Sequence, residues 1–123
     1  MGRWTREKRE TLYRRAAETW GARAQILMLS EEAAELSAEA TRFVNRPARG
    51  MVELAAEIAD VEIMLAQVRS MIPTLDPLIA LETDRKLDRL EGWLNAEEGA
   101  AKGRARGYRR GHRPEGANLE GEG

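Results

Sequence analysis

The chain has 123 residues, 42% hydrophobic and 33% charged, with a formal net charge of −1, which is enough for one domain with a modest core. It has no cysteine, which excludes a disulfide framework and a thiolate metal site and makes a reducing compartment the default. No apolar run is long enough to span a membrane, and the basic, amphipathic start lacks the apolar stretch of a secretory signal, so the expectation is a cytoplasmic protein.

Gly and Pro residues punctuate the chain into helices. Thr5 caps a first helix to about Trp20, with Leu12, Tyr13, Ala16 and Trp20 on one face and Gly21 offering an end to it. A second helix covers about residues 22–44, where Ile26, Leu29, Ala33, Leu36, Ala40 and Phe43 recur at alternating three- and four-residue steps and form a seam towards other helices. Asn45 to Gly50, with Pro47, makes the connection. A third helix runs from about 49 to 72, burying Met51, Leu54, Ile58, Val61, Leu65, Val68 and Ile72, until Pro73 stops it. Asp76 and Pro77 read as the N-cap and first residue of a fourth helix to about Asn95, with Ile79, Thr83, Leu87, Leu90 and Leu94 inward. No strand pattern or internal repeat competes, and the predicted architecture is an all-α bundle of four helices.

Charge divides body from tail. Residues 1–98 carry 14 Lys/Arg and 18 Asp/Glu, net −4, whereas residues 99–123 carry 6 and 3, net +3. The tail is Gly-rich and almost free of large apolar side chains, so it lacks the burial that would offset the entropy of ordering it, and disorder is expected. Its basic residues, Lys102, Arg104, Arg106, Arg109, Arg110 and Arg113, allow salt-sensitive nucleic-acid binding. A soluble tail without a specific partner is the plainer reading.

Two short acidic clusters stand within the helical segments: Glu31, Glu32 and Glu35 in the second helix, Glu57 and Asp60 in the third. Glu32 and Glu35 are three residues apart, as are Glu57 and Asp60, so each pair leaves one side of its own helix. Counting about 100° per residue from Leu29, Glu32 falls at about −60°, Glu39 at about −80°, Glu35 at about −120° and Glu31, the outermost, at about −160°. From Ile58, Glu57 falls at about −100° and Asp60 at about −160°. Acids on the flank of a seam are placed to line a groove between helices, where a hard cation would relieve their repulsion. A solvated acidic face is the competing reading. Met28 and Met64 lie towards the same groove, as lining or as core filler.

The pattern Glu-Glu-x-x-Glu, then 21 intervening residues, then Glu-x-x-Asp, with Trp20 and Gln25 upstream and Glu-Ile-Ala-Asp-Val-Glu-Ile-Met-Leu around the second cluster, resembles the MazG-like all-α nucleoside triphosphate pyrophosphohydrolases. This superfamily also includes dimeric dUTPases and dCTP pyrophosphatases, and the likeness covers roughly residues 18–94. It implies Mg²⁺-dependent hydrolysis of a nucleoside triphosphate, deoxy or modified, to the monophosphate and pyrophosphate, with Mn²⁺ as an alternative metal. By the resemblance Glu32, Glu35, Glu57 and Asp60 hold the metal, with Glu31 completing the cluster and orienting water. Lys86, then Arg89, would meet phosphates, although the family's usual Asn-x-x-Lys is absent and Asp84 stands near the place of the amide. Trp20 would stack on the base and Gln25 bond its edge. The resemblance further implies a homodimer or homotetramer whose site is shared between subunits.

On these readings residues 1–98 form the hydrolase domain and 99–123 the tail. The alternative is a noncatalytic helical interaction module whose acids only solvate it. A ferritin-like di-iron centre requires Glu-x-x-His pairs, and the single histidine, His112, lies in the tail.

Overall fold

The computed structural model of the protein describes residues 2–46 and 50–104. Over these residues the chain is all-α, with three helices: α1 (Arg6–Asn45), α2 (Met51–Met71) and α3 (Leu75–Arg104). They fall into two compact units, one ending at Asp76 and the other beginning at Pro77.

The four expected helices become three because Gly21 kinks a helix without ending it. It takes φ 85°, ψ 159° inside α1, a conformation that glycine enters readily and other residues enter only with strain. Residues 6–20 and 22–45 are thus two arms of one element. The start is as the sequence implies: Thr5 is extended at φ −71°, ψ 165°, and its Oγ1 accepts a hydrogen bond from the Lys8 amide at 3.2 Å. Gly50 precedes α2 without a side-chain cap, and α2 closes with the Ile72 amide donating to the Val68 carbonyl at 3.0 Å, just before Pro73.

Asp76 does not cap the last helix. α3 begins at Leu75, so Asp76 lies in its first turn, where its Oδ1 accepts from Arg69 Nε at 2.8 Å. The far end differs too. α3 passes Asn95 and continues to Arg104, because the strong helix formers Ala96, Glu97, Glu98, Ala100, Ala101 and Lys102 offset the roughly 1 kcal/mol that each of Gly99 and Gly103 costs. The first residues of the expected tail, 99–104, are therefore helical, and residues 105–123 lie outside the described residues. On α3 Leu87, Leu90 and Leu94, expected inward, are 56%, 45% and 48% exposed.

α1 and α2 pack against each other. Along the second arm of α1, buried and half-buried positions run Gln25, Leu29, Glu32, Leu36, Glu39, Phe43; along α2 they include Leu54, Glu57, Val61, Met64, Val68 and Met71. Both series alternate three- and four-residue steps, the spacing that keeps one stripe facing a partner helix. Leu29, Leu36, Phe43 and Leu54, Val61, Val68 are where the apolar pattern puts them. The other half of each seam is turned by one residue, about 100°. Gln25, Glu32 and Glu39 occupy positions expected of Ile26, Ala33 and Ala40, while Glu57 and Met64 replace Ile58 and Leu65. Ile26, Ile58 and Leu65 are accordingly 43%, 41% and 44% exposed, and the buried apolar residues among those described are only Ala16, Met64 and Val68.

Candidate metal centre

The turned seam brings acids from the two helices together. Glu32 and Glu35 of α1 and Glu57 of α2 each offer a carboxylate oxygen, and the three oxygens lie within 4.8 Å of one another. Glu32 and Glu57 are half-buried, and Oε2 of each is shielded from solvent without a hydrogen-bond partner. Such groups are costly to leave charged. Desolvation first, then the charges of Asp60, Glu35 and Glu57, hold the Glu32 carboxyl above the ordinary range, and a hydrogen bond with Asp60 further favours its protonated form. Glu57 is raised in the same way by desolvation, then by Glu35, Asp60 and Glu39, and by a hydrogen bond with Glu35.

The donor set fits a hard cation. Three carboxylate oxygens are the ligand chemistry of Mg²⁺, Mn²⁺ or Ca²⁺, and a divalent charge would relieve both the repulsion and the orphaned oxygens.

The other predicted site residues divide. Asp60 is exposed and outside the three-oxygen group, yet its charge acts on both raised carboxyls. Glu31 is exposed and belongs to no such group among the described residues. Trp20, which shares one face of the first helix with Leu12, Tyr13 and Ala16, is 62% exposed beside the Gly21 kink. Gln25 is 2% exposed, and its Oε1 has no hydrogen-bond partner among the described residues. Met64 is core, while Met28 is 40% exposed.

Lys86 and Arg89 stand on α3, in the second unit. Lys86 is exposed, and the half-buried Arg89 places its guanidinium carbon 5.1 Å from the centroid of the Trp93 ring, one turn on. Arg85, one residue before Lys86, donates from Nη2 to Glu82 Oε1 at 2.8 Å. That hydrogen bond first, then the Arg85 charge, holds the Glu82 carboxyl below its ordinary range.

Two residues beyond the acidic motif join the centre. Glu39, two turns after Glu32, is 2% exposed and accepts from Arg42 Nη1 at 2.9 Å. Arg42 in turn lines a surface cavity of about 350 Å³ with Ala34, Ala38, Glu35 and Glu57. The signal in the sequence is the seven-residue spacing Gln25, Glu32, Glu39, a polar repeat that a purely apolar reading of the seam passes over. Compared with known protein families, curated proteins and solved structures, the chain matches none.

Proposed function

We propose that the protein is a divalent-metal-dependent nucleoside triphosphate pyrophosphohydrolase of the MazG-like type, acting in nucleotide-pool housekeeping. The observation that carries this reading is the turned seam. Glu32 and Glu57 occupy positions that apolar side chains would fill more cheaply, and they leave oxygens there without partners. The resemblance of Glu31, Glu32, Glu35, Glu57 and Asp60 to the family's acidic signature then selects the reaction.

In this reading Glu32, Glu35 and Glu57 bind the cation, and Asp60, whose charge already bears on them, completes the set. When bound, Mg²⁺ or Mn²⁺ would supply Lewis-acid stabilisation of phosphate charge and lower the pKa of a water. Glu31, at the exposed edge, orients the attacking water. The resemblance gives the phosphate contacts to Lys86 and Arg89, and the Arg89 guanidinium stacks on Trp93. Trp20 offers an exposed ring for base stacking. Gln25, which the resemblance gives to the base edge, is 2% exposed with its Oε1 lacking a donor, so a base N–H would reach it only if the seam beside it opened. A second copy of the chain completes the site in a homodimer or homotetramer. That arrangement is supported by the scant buried apolar core and by the exposure of Ile26, Leu27, Ile58 and Leu65 next to the seam.

The test is product analysis with Mg²⁺ and a panel of standard and modified nucleoside triphosphates. Monophosphate with pyrophosphate, lost in Glu35→Gln and Asp60→Asn while helicity is retained, is the expected result. No turnover across the panel, together with no Mg²⁺- or Mn²⁺-dependent rise in Tm, would instead favour a helical interaction module.

A further inference from the structure

We propose that Arg42 is an anion-binding residue of the metal centre, holding a phosphate oxygen of the polyphosphate whose neighbouring oxygens reach the cation. The inference rests on the metal-dependent reading above and adds a residue outside the acidic signature. Along the second arm of α1, Ala34, Glu35, Ala38 and Arg42 are spaced to share one face, and with Glu57 of α2 they line the cavity of about 350 Å³. Two of its lining residues are alanines, whose small side chains leave a ligand room near the helix. Glu35, Glu57 and Arg42 are its charged lining residues, and Glu35 and Arg42 leave α1 two turns, roughly 10 Å of backbone, apart. A cavity lined by both cation ligands and an arginine is complementary to a metal-bound polyphosphate.

Arg42 is also held for this work. Nη1 donates to Glu39, whose side chain is 3% exposed, whereas the Arg42 side chain is 49% exposed. One edge of the planar fork is therefore anchored in the seam while the side chain as a whole stays accessible. Arginine suits that double duty because its five N–H donors are fixed in a plane, so an anchored guanidinium can still meet an oxyanion with little further ordering.

The experiment is isothermal titration of the full chain, first with Mn²⁺ and then with the preformed Mn²⁺–pyrophosphate complex. It compares the wild type with Arg42→Gln, Arg42→Lys and the double variant Glu39→Gln/Arg42→Gln, with helicity checked by circular dichroism. The double variant removes both charges of the pair and decides the matter should Arg42→Gln alone fail to fold. Expected are Mn²⁺ affinities within about threefold of wild type in the two single variants; in the double variant, which also removes a charge that bears on Glu57, binding of the pyrophosphate complex is read relative to its own Mn²⁺ affinity. The pyrophosphate complex should weaken about ten- to hundredfold in Arg42→Gln and in the double variant, the scale of one charge-assisted hydrogen bond, with Arg42→Lys between them and the wild type. Binding of the complex within twofold of wild type in a folded Gln variant overturns the assignment and leaves the metal centre standing. Failure of Mn²⁺ to bind the wild type overturns both.

Discussion

Gly21→Ala is the sharpest test of how α1 is built. A Cβ at Gly21 would meet nothing within 4 Å, so the substitution creates no clash with neighbouring side chains, and its whole effect is the backbone's. At φ 85°, ψ 159° an L-residue is held in a region that is nearly glycine-only, at about 1–3 kcal/mol. Alanine would gain about 1 kcal/mol over glycine if residue 21 became helical. That relief straightens α1 and moves residues 6–20 away from the α2 segment with which Leu12 and Tyr13 share a groove, formed with Ala59, Ile63 and Ala66. Either route lowers stability. At about 4–8 °C per kcal/mol for a unit of this size, Tm should fall by about 5–20 °C. The assay is thermal unfolding followed at 222 nm, with and without Mn²⁺. Glu32, Glu35 and Glu57 lie beyond the kink, so the Mn²⁺-induced rise in Tm should survive the substitution. A Tm equal to or above that of the wild type, with stronger ellipticity at 222 nm, would refute the kink and make residues 6–45 one continuous helix.

Two further predictions concern the seam. Without metal, the raised carboxyls of Glu32 and Glu57 mean that the native state binds more protons than the unfolded chain above the ordinary value of 4.5. Stability therefore falls as pH rises from 4.5 through their folded-state pKa values, and Tm in chelator should be higher at the acid end of that window than at pH 7. Saturating Mn²⁺ or Glu57→Gln should flatten the dependence, and a metal-free Tm that rises across the same window would contradict the placement of these acids. Met64→Ala, at 7% exposure in a thin core, should lose about 2–4 kcal/mol in urea unfolding, against about 0.5 kcal/mol or less for Val52→Ala at 78% exposure.

The helices themselves were legible in the sequence. Thr5 as N-cap and Pro73 as stop are local signals, and each acted where it stands, while the apolar three- and four-residue steps placed half of each seam. What sequence periodicity missed is which side of the stripe turns inward. It maximised apolar burial and set Ile26, Ile58 and Leu65 in the seam, whereas the packed pair places Gln25, Glu32, Glu39 and Glu57 there. Apolar pattern and acidic motif point to neighbouring faces, and a conflict of this kind between local pattern and final packing is expected at functional sites. Gly21 was visible as a punctuation mark, but whether a glycine ends a helix or bends it depends on what the preceding arm finds to pack against. Asp76 misled for a related reason. Its side chain suits a cap, but Arg69 lies within reach on the preceding helix and holds it instead.

The stack of Arg89 on Trp93 makes the second unit optically addressable. The chain has three tryptophans, and Trp20 is well exposed while Trp4 lies near Arg3, at the start of the chain. With Trp4 and Trp20 replaced by Phe, all indole emission would come from a ring whose face is 5.1 Å from one guanidinium. Any anion that draws Arg89 off that face alters the emitter's surroundings, so Trp93 would give α3 a built-in fluorescent signal for phosphate engagement, readable without a label or a turnover assay.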